Sequence, residues 1–312
     1  MSAPSATISP ARRKPPSRAA AKSSRLSPDF QRSGRRGSGG RPTTSWFSYV
    51  VLVLAVFGSL APLYWMFVVG SNDSSAISQF PPVIVPGDNF FTNAQYIETR
   101  VPFAHSILNS AIVAVSVTVL QMFFCSLAGF AFAKLHFRGR GPLLLGVIAT
   151  MAIPSQFGIV PLYMIMTTLG WTNSLQALIV PAAVSAFGVF WMRQVVLASI
   201  PDELIEAAKI DGCGTFRTYW TIVLPNIRGS AAVFGLFAAM GAWNDFLWPL
   251  IILNDPNNFT SQVAIQQLRT QYSIDYSVVM TGSILATLPL LLLFLVAGRQ
   301  LVAGIMEGAV KG

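Results

Sequence analysis

Charge is what this sequence has least of, and negative charge above all. Of 312 residues only 12 are Asp or Glu, and the charged residues together make up 11%. A chain that is 53% hydrophobic, with a mean hydropathy of +0.57, has more apolar surface than a soluble domain can hide. Histidine is nearly absent: His105 and His136 stand at opposite ends of one apolar run, which excludes a His pair for catalysis or metal. The two cysteines, Cys125 in an apolar run and Cys213 in a charged loop, have no metal spacing and are expected to stay unpaired. No Gly-x-x-x-x-Gly-Lys-Ser/Thr loop is present to cradle a nucleotide phosphate. The apolar runs also lack paired carboxylates, a Ser/His pair and metal ligands. Neither a catalytic residue nor a metal site is therefore expected.

What is present is a series of charge-poor runs of eighteen or more residues, each long enough to cross a hydrocarbon core of ~30 Å at ~1.5 Å per helical residue. The expected fold is all-α, a polytopic membrane protein of six transmembrane helices at about 46–69, 106–133, 142–168, 174–196, 228–253 and 276–297. The first run is too long for a signal-peptide core, and a cleavable leader is not expected. Trp46, Tyr49, Tyr64 and Trp65 lie near the ends of the first span, where amphipathic rings suit headgroups. Small residues such as Ser110, Ala114, Gly129 and Ala133 recur along the second and allow close helix approach. Gly170-Trp171-Thr172-Asn173 divides the third span from the fourth, and Pro154, Pro161 and Pro181 predict kinks. Residues 71–105, with Pro81-Pro82, Pro86-Gly87 and Asn93, read as a polar loop.

The net charge of +9 belongs to one segment. Residues 1–45 hold ten Lys/Arg and one acid, Asp29, while the remaining 267 residues hold eleven of each sign. That tail is rich in Ser, Pro, Gly and Ala and is expected to be a disordered basic cytoplasmic arm, held near anionic lipid rather than on nucleic acid. With six spans the positive-inside rule can be applied: nineteen basic residues fall on the tail side and two, Arg100 and Arg269, on the other. Both termini are therefore expected in the cytoplasm, with residues 46–312 forming one transmembrane domain.

Between the fourth and fifth spans lies the charged stretch at about 199–225. Ser199, Pro201, Asp202 and Glu203 crowd a helix start, where acids and a first-turn proline meet unpaired amides and the positive dipole end, and Gly212 supplies a stop. Periodicity alone leaves open a solvated connector at the membrane surface. The pattern Glu206-Ala207-Ala208, Asp211-Gly212 and Leu224-Pro225 resembles the cytoplasmic signature loop, or EAA motif, of the membrane subunits of binding-protein-dependent ABC importers. The segments Trp243-Asn244-Asp245-Phe246-Leu247-Trp248-Pro249-Leu250, Ser106-Ile107-Leu108-Asn109-Ser110, Ala131-Phe132-Ala133-Lys134 and Gly308-Ala309-Val310-Lys311-Gly312 extend the likeness to the maltose-type, carbohydrate-uptake permeases. Cys213 departs from the Ala usual after the Asp-Gly pair, and it too is small.

The resemblance implies the transmembrane domain of a type I ABC importer in a bacterial-type cell membrane. It implies a coupling helix that docks on a separate cytoplasmic ATPase dimer through Glu206, Ala207, Ala208, Asp211, Gly212, Leu224 and Pro225, with the C-terminal residues as a second contact. It also implies a second, unlike permease, an extracytoplasmic substrate-binding protein facing residues 254–275, and ATP and Mg held by the partner ATPase, with no cofactor in this chain. The solute would be a carbohydrate, an oligosaccharide by preference; a non-sugar solute is the alternative. A secondary transporter would need an intramembrane ion site, for which only Asp245 is available, and a matched pair of broken helices, which the sequence does not show. Asn109, Gln156, Asn244 and Asp245 are the candidate path residues. Helix-to-helix hydrogen bonding competes with that role for the amides, and a turn within Trp243–Pro249 competes with it for Asp245.

Overall fold

A computed structural model describes residues 46–269 and 274–309, with the backbone alone described for 299–309. The expected disordered arm, 1–45, and residues 310–312 of the C-terminal contact lie outside them. By internal contacts the chain divides into Met1–Val51 and Leu52–Gly312, and the packing below is that of the second unit.

The described residues form helices and turns without strands. In chain order the helices are α1 (Trp46–Ser71), α2 (Phe90–Arg100), α3 (Phe103–Lys134), α4 (Arg140–Thr150), α5 (Ile159–Thr168), α6 (Gln176–Ile179) and α7 (Ala186–Ser199). They continue as α8 (Asp202–Ile210), α9 (Thr215–Thr218), α10 (Leu224–Asn244), α11 (Leu247–Ile252), α12 (Ser261–Gln267) and α13 (Tyr276–Ala309). Four stretches are long and apolar enough to cross a membrane: Trp46–Ser71, Phe103–Lys134, Thr215–Asn244 and Tyr276–Gly298. Two bent pairs bring the number to six if each is counted as one span: Arg140–Thr150 with Ser155–Thr168, bent by 97°, and Gln176–Ala183 with Ala186–Ser199, bent by 42°. Side chains such as Leu54, Phe57, Leu145, Val160 and Leu295 lie exposed on these helices, as expected where hydrocarbon replaces water.

Several expected boundaries move. The third run is no kinked rod but two helices set nearly at right angles, parted at Pro154; this proline starts a 3₁₀ turn, Ser155–Gly158, instead of sitting inside an α-helix. Pro161 breaks nothing, because it stands in the first turn of α5, where its missing N–H has no partner to lose. The fifth helix begins at Thr215, well before 228, and stops at Asn244; Asp245-Phe246 interrupts it before α11. The supposed loop 199–225 therefore includes the start of a membrane helix. That helix carries one π turn, Tyr219–Val223, immediately before Leu224-Pro225. The wider turn lets the chain pass a proline whose ring would press on the carbonyl four residues back in a regular α-helix. Residues 71–105 are not all loop: Asn93 sits in α2 and donates from Nδ2 to the Gly70 carbonyl at 3.0 Å, tying α2 to the end of α1.

The centre of the unit is α3, packed mainly against α7 and α10. Glycines set that spacing: a Cβ on Gly129 would meet the Arg193 amide nitrogen at 2.7 Å, and one on Gly188 would meet Phe234 at 2.5 Å and Cys125 Sγ at 2.7 Å. Two apolar clusters result. One, with Ile97, Phe103, Ile252, Phe259 and Val263, gathers at the α12 end. The other, with Phe130, Met192, Val196, Ile205 and Tyr219, gathers at the α8 end.

Candidate functional site

Helix α8 is short, and its ends are well specified. Pro201 enters extended, Asp202 and Glu203 occupy the first turn and Lys209 the last, so charge and helix dipole agree at both ends. At its C-terminus the Gly212 amide bonds the Lys209 carbonyl at 3.1 Å and the Cys213 amide bonds the Ala208 carbonyl at 2.8 Å. This is a Schellman closure, and it requires the left-handed φ of +74° that Gly212 adopts.

Two side chains of α8 are buried, Ile205 and Ala208, and Ile205 enters the cluster at that end of the bundle. A polar latch holds the first turn: Lys134 Nζ, at the end of α3, donates to Asp202 Oδ1 at 2.5 Å. The Lys134 side chain is 5% exposed and that of Asp202 79%, so the ammonium is sunk in the protein and the carboxylate reaches in to meet it. That hydrogen bond, reinforced by the Lys134, His136 and Arg140 charges, holds the Asp202 carboxyl below the usual carboxylate range. Around the same helix end, Arg140 donates to the Ala133 and Leu135 carbonyls at 3.1 and 3.2 Å, and Arg193 Nε to the Phe132 carbonyl at 3.4 Å. The last carbonyls of α3 are thus capped by cations, and α8 is fastened to a finished helix end.

Of the seven expected docking residues, Glu206, Ala207, Asp211, Gly212 and Pro225 are exposed. Ala208 is not available: it is 4% exposed and faces its own core. Leu224 is half-buried against the α8-end cluster, and it lies with Pro225 at the start of α10 rather than on α8. The expected docking set leaves out Leu204 and Ile210, the latter 87% exposed, which form an exposed apolar stripe with Ala207, and two large exposed rings nearby in sequence, Phe216 and Trp220. The signal was present. Ile205 and Ala208 already supply the inward face of a one-sided helix, so a second stripe offset by one residue has no use inside the chain.

At the other end of α10, the four candidate path residues separate. Asn109 is buried, and its Nδ2 donates to the Asn257 and Phe259 carbonyls at 2.8 and 3.1 Å, fixing the turn before α12. Asn244 Nδ2 donates to the Met240 carbonyl of its own helix at 2.9 Å. Gln156 and Asp245 do come together. A cavity of about 370 Å³ between the α4–α5 break and the α10–α11 break is lined by Ser155, Gln156, Asp245 and Trp248, among others. A second, of about 400 Å³, is lined by Gln121, Ser185, Phe187, Phe237 and again Asp245.

Residues 125–305 match the protein family described as "Binding-protein-dependent transport system inner membrane component". The chain is 31% identical to the arabinooligosaccharides transport system permease protein AraQ of Halalkalibacterium halodurans, over 87% of this chain and 98% of that one. It is 35% identical to the lactose transport system permease protein LacG of Rhizobium radiobacter, over 84% and 95%. It is 29% identical to the sn-glycerol-3-phosphate transport system permease protein UgpE of Yersinia pestis, over 84% and 95%. Among solved structures, a bacterial ABC transporter involved in the import of the acidic polysaccharide alginate superposes with a TM-score of 0.70 at 21% identity, over 81% of this chain and 95% of that one.

Proposed function

We propose, for a chain that belongs to the binding-protein-dependent transport system inner membrane component family, a specific place in the machine: the permease subunit of an ATP-driven importer of a carbohydrate, in which α8 is the coupling helix. The family sets the chain in an inner membrane as a transport component. The sugar and oligosaccharide relatives support a carbohydrate solute, and the positive-inside count supports a cytoplasmic α8.

The observation that carries the reading is the exposed stripe Leu204, Ala207 and Ile210 on a helix latched to the bundle by Ile205 and by the Lys134–Asp202 pair. An apolar stripe on the water side needs a partner, and a helix fixed at one face can pass on a push received at the other. The partner is a cytoplasmic ATPase dimer, which binds ATP and Mg. Leu204, Ala207 and Ile210 enter its surface, while Glu206 and Asp211 stand beside them for cations of the partner. A second permease, unlike this one, completes the path, and a substrate-binding protein meets the α12 side. Closure of the ATPase dimer moves α8 and with it the spans, which alternate between inward-open and outward-open arrangements.

Co-purification tests the docking surface. Ile210→Glu and Glu206→Arg, in the complete importer solubilised in mild detergent, are each expected to lose most of the ATPase while this chain keeps its wild-type thermal stability. Full retention of the ATPase by both variants would show that α8 is a connector only.

A further inference from the structure

The two cavities meet at one carboxylate. Asp245 lines both, and it is the sole acid or base to do so among the described residues, since neither wall includes Lys, Arg, His or Glu. No described cation pairs with it, because the Lys134–Asp202 bridge is the one ion pair of the described residues. It stands where the chain stops being helix, between Asn244 and Leu247, and it is exposed to the space it lines. Beside it are the amide of Gln156, which bonds no other described side chain, and the hydroxyl of Ser155. The rings of Phe187, Phe237 and Trp248 are part of the walls.

We infer that Asp245 makes this part of the solute path a charge filter: the solute is an uncharged polyhydroxylated molecule or one bearing a cationic group, and anionic solutes are refused. The inference rests on the solute-import reading above and goes beyond it by naming what may pass. An ionised carboxylate only accepts hydrogen bonds. A sugar hydroxyl or an ammonium group has a proton to give it, whereas a phosphate or uronate oxygen has none and brings like charge up to the carboxylate. Gln156 and Ser155 both donate and accept, which suits hydroxyls of either orientation. The aromatic faces suit the C–H face of a sugar ring and would also hold a cation. An anion-carrying path would need Lys or Arg here, and the described walls have none.

The test reads the field of the cavity directly. In the complete importer reconstituted in phosphatidylethanolamine–phosphatidylglycerol vesicles, Cys213→Ser removes the accessible native thiol, Cys125 being buried, and Leu247→Cys places a reporter on the wall. Its modification rate is measured with a trimethylammonium methanethiosulfonate and with a sulfonate methanethiosulfonate. The cationic reagent is expected to be favoured, and Asp245→Asn to lower the ratio of the two rates by about tenfold, as one unit charge within several ångströms would. Asp245→Glu should keep the ratio, which separates charge from misfolding. A ratio unmoved by Asp245→Asn overturns the inference. Uptake supplies the second arm, with lactose as the neutral probe and sn-glycerol 3-phosphate as the anionic one. Efficient uptake of sn-glycerol 3-phosphate by the unaltered importer would also overturn the filter, while leaving the permease reading intact. If no solute of either kind enters and no ATPase is bound, the permease reading fails instead, and the labelling ratio still decides whether Asp245 sets the field.

Discussion

Replacing Ile205 by alanine separates holding α8 from docking on it. The side chain is 5% exposed and sits in the cluster that also contains Val196, Ile200, Tyr219 and Val223. Its truncation removes three buried carbons and leaves a gap, a change that costs about 2–4 kcal/mol in a packed site. The whole cost does not fall on the bundle, because α8 has only Ile205 and Ala208 buried and can lift while the spans stay packed. Even the lower figure raises the population of unlatched α8 roughly thirtyfold, at about 1.4 kcal/mol per factor of ten. The exposed stripe is untouched, so the ATPase should co-purify at its normal level and still hydrolyse ATP. What should fall, severalfold or more, is solute transported per ATP hydrolysed in proteoliposomes, together with amide-exchange protection over residues 203–211. Loss of that protection with an unchanged transport-to-hydrolysis ratio would refute the idea that a latched α8 couples the two. Unchanged protection would show that Ile205 is not the anchor.

Two further outcomes follow from the same end of the molecule. The Asp202 carboxyl is held below its ordinary range by Lys134, so the latch contributes fully above the unfolded carboxylate pKa of about 3.9 and is lost only as pH falls through the lowered value. Amide protection of α8 should therefore be flat from pH 8 to about 5 and drop only in stronger acid, whereas Asp202→Asn should lower it throughout; a fall centred near pH 6 would assign the latch to another group. Gly129→Ala should destabilise the bundle by about 1–3 kcal/mol, read as a drop in the thermal midpoint of the solubilised protein, because its Cβ would lie 2.7 Å from a backbone nitrogen of α7 that cannot swing aside.

The six apolar runs were legible because a span must be long and uncharged whatever it packs against, and α8 because Asp202, Glu203, Lys209 and Gly212 are local signals. The breaks were harder. Pro154 announced a disturbance, but whether a helix bends or turns by 97° is decided by what fills the angle, here the cavity wall beside Trp248. Asn173 looked like a turn residue and is more than that. At φ 57° its Oδ1 accepts from the Asn254 and Asp255 amides at 3.0 and 2.9 Å, and its carbonyl accepts from Asn258 Nδ2 at 2.8 Å. One side chain thus joins segments about eighty residues apart, and no spacing rule reveals that. The candidate path suffered from the same gap: Asn109 and Gln156 are both uncharged polar residues in apolar runs, and only the fold tells that one fills buried carbonyl bonds and the other faces open space.

The helix from Thr215 to Asn244 gives the two ends of the protein a common part. At ~1.5 Å per residue its thirty residues span ~45 Å, from the turn after α8 to the break that holds Asp245. Near its start, Tyr219 is fully buried, shares a 2.7 Å bond with Ser126 of α3 and belongs to the same cluster as Ile205. Near its end, Trp243 donates from Nε1 to the Ala286 carbonyl of α13 at 3.2 Å, so the last turn is also tied to a neighbouring helix. A rod fixed at both ends moves its neighbours when it moves, which is the property a transmission element needs. The π turn at Tyr219–Val223 is the one irregularity along it, and it lies beside the latch rather than beside the cavity. Any give in the rod is therefore at the α8 end, and the stretch from Leu224 to Asn244 reaches Asp245 as an unbroken α-helix.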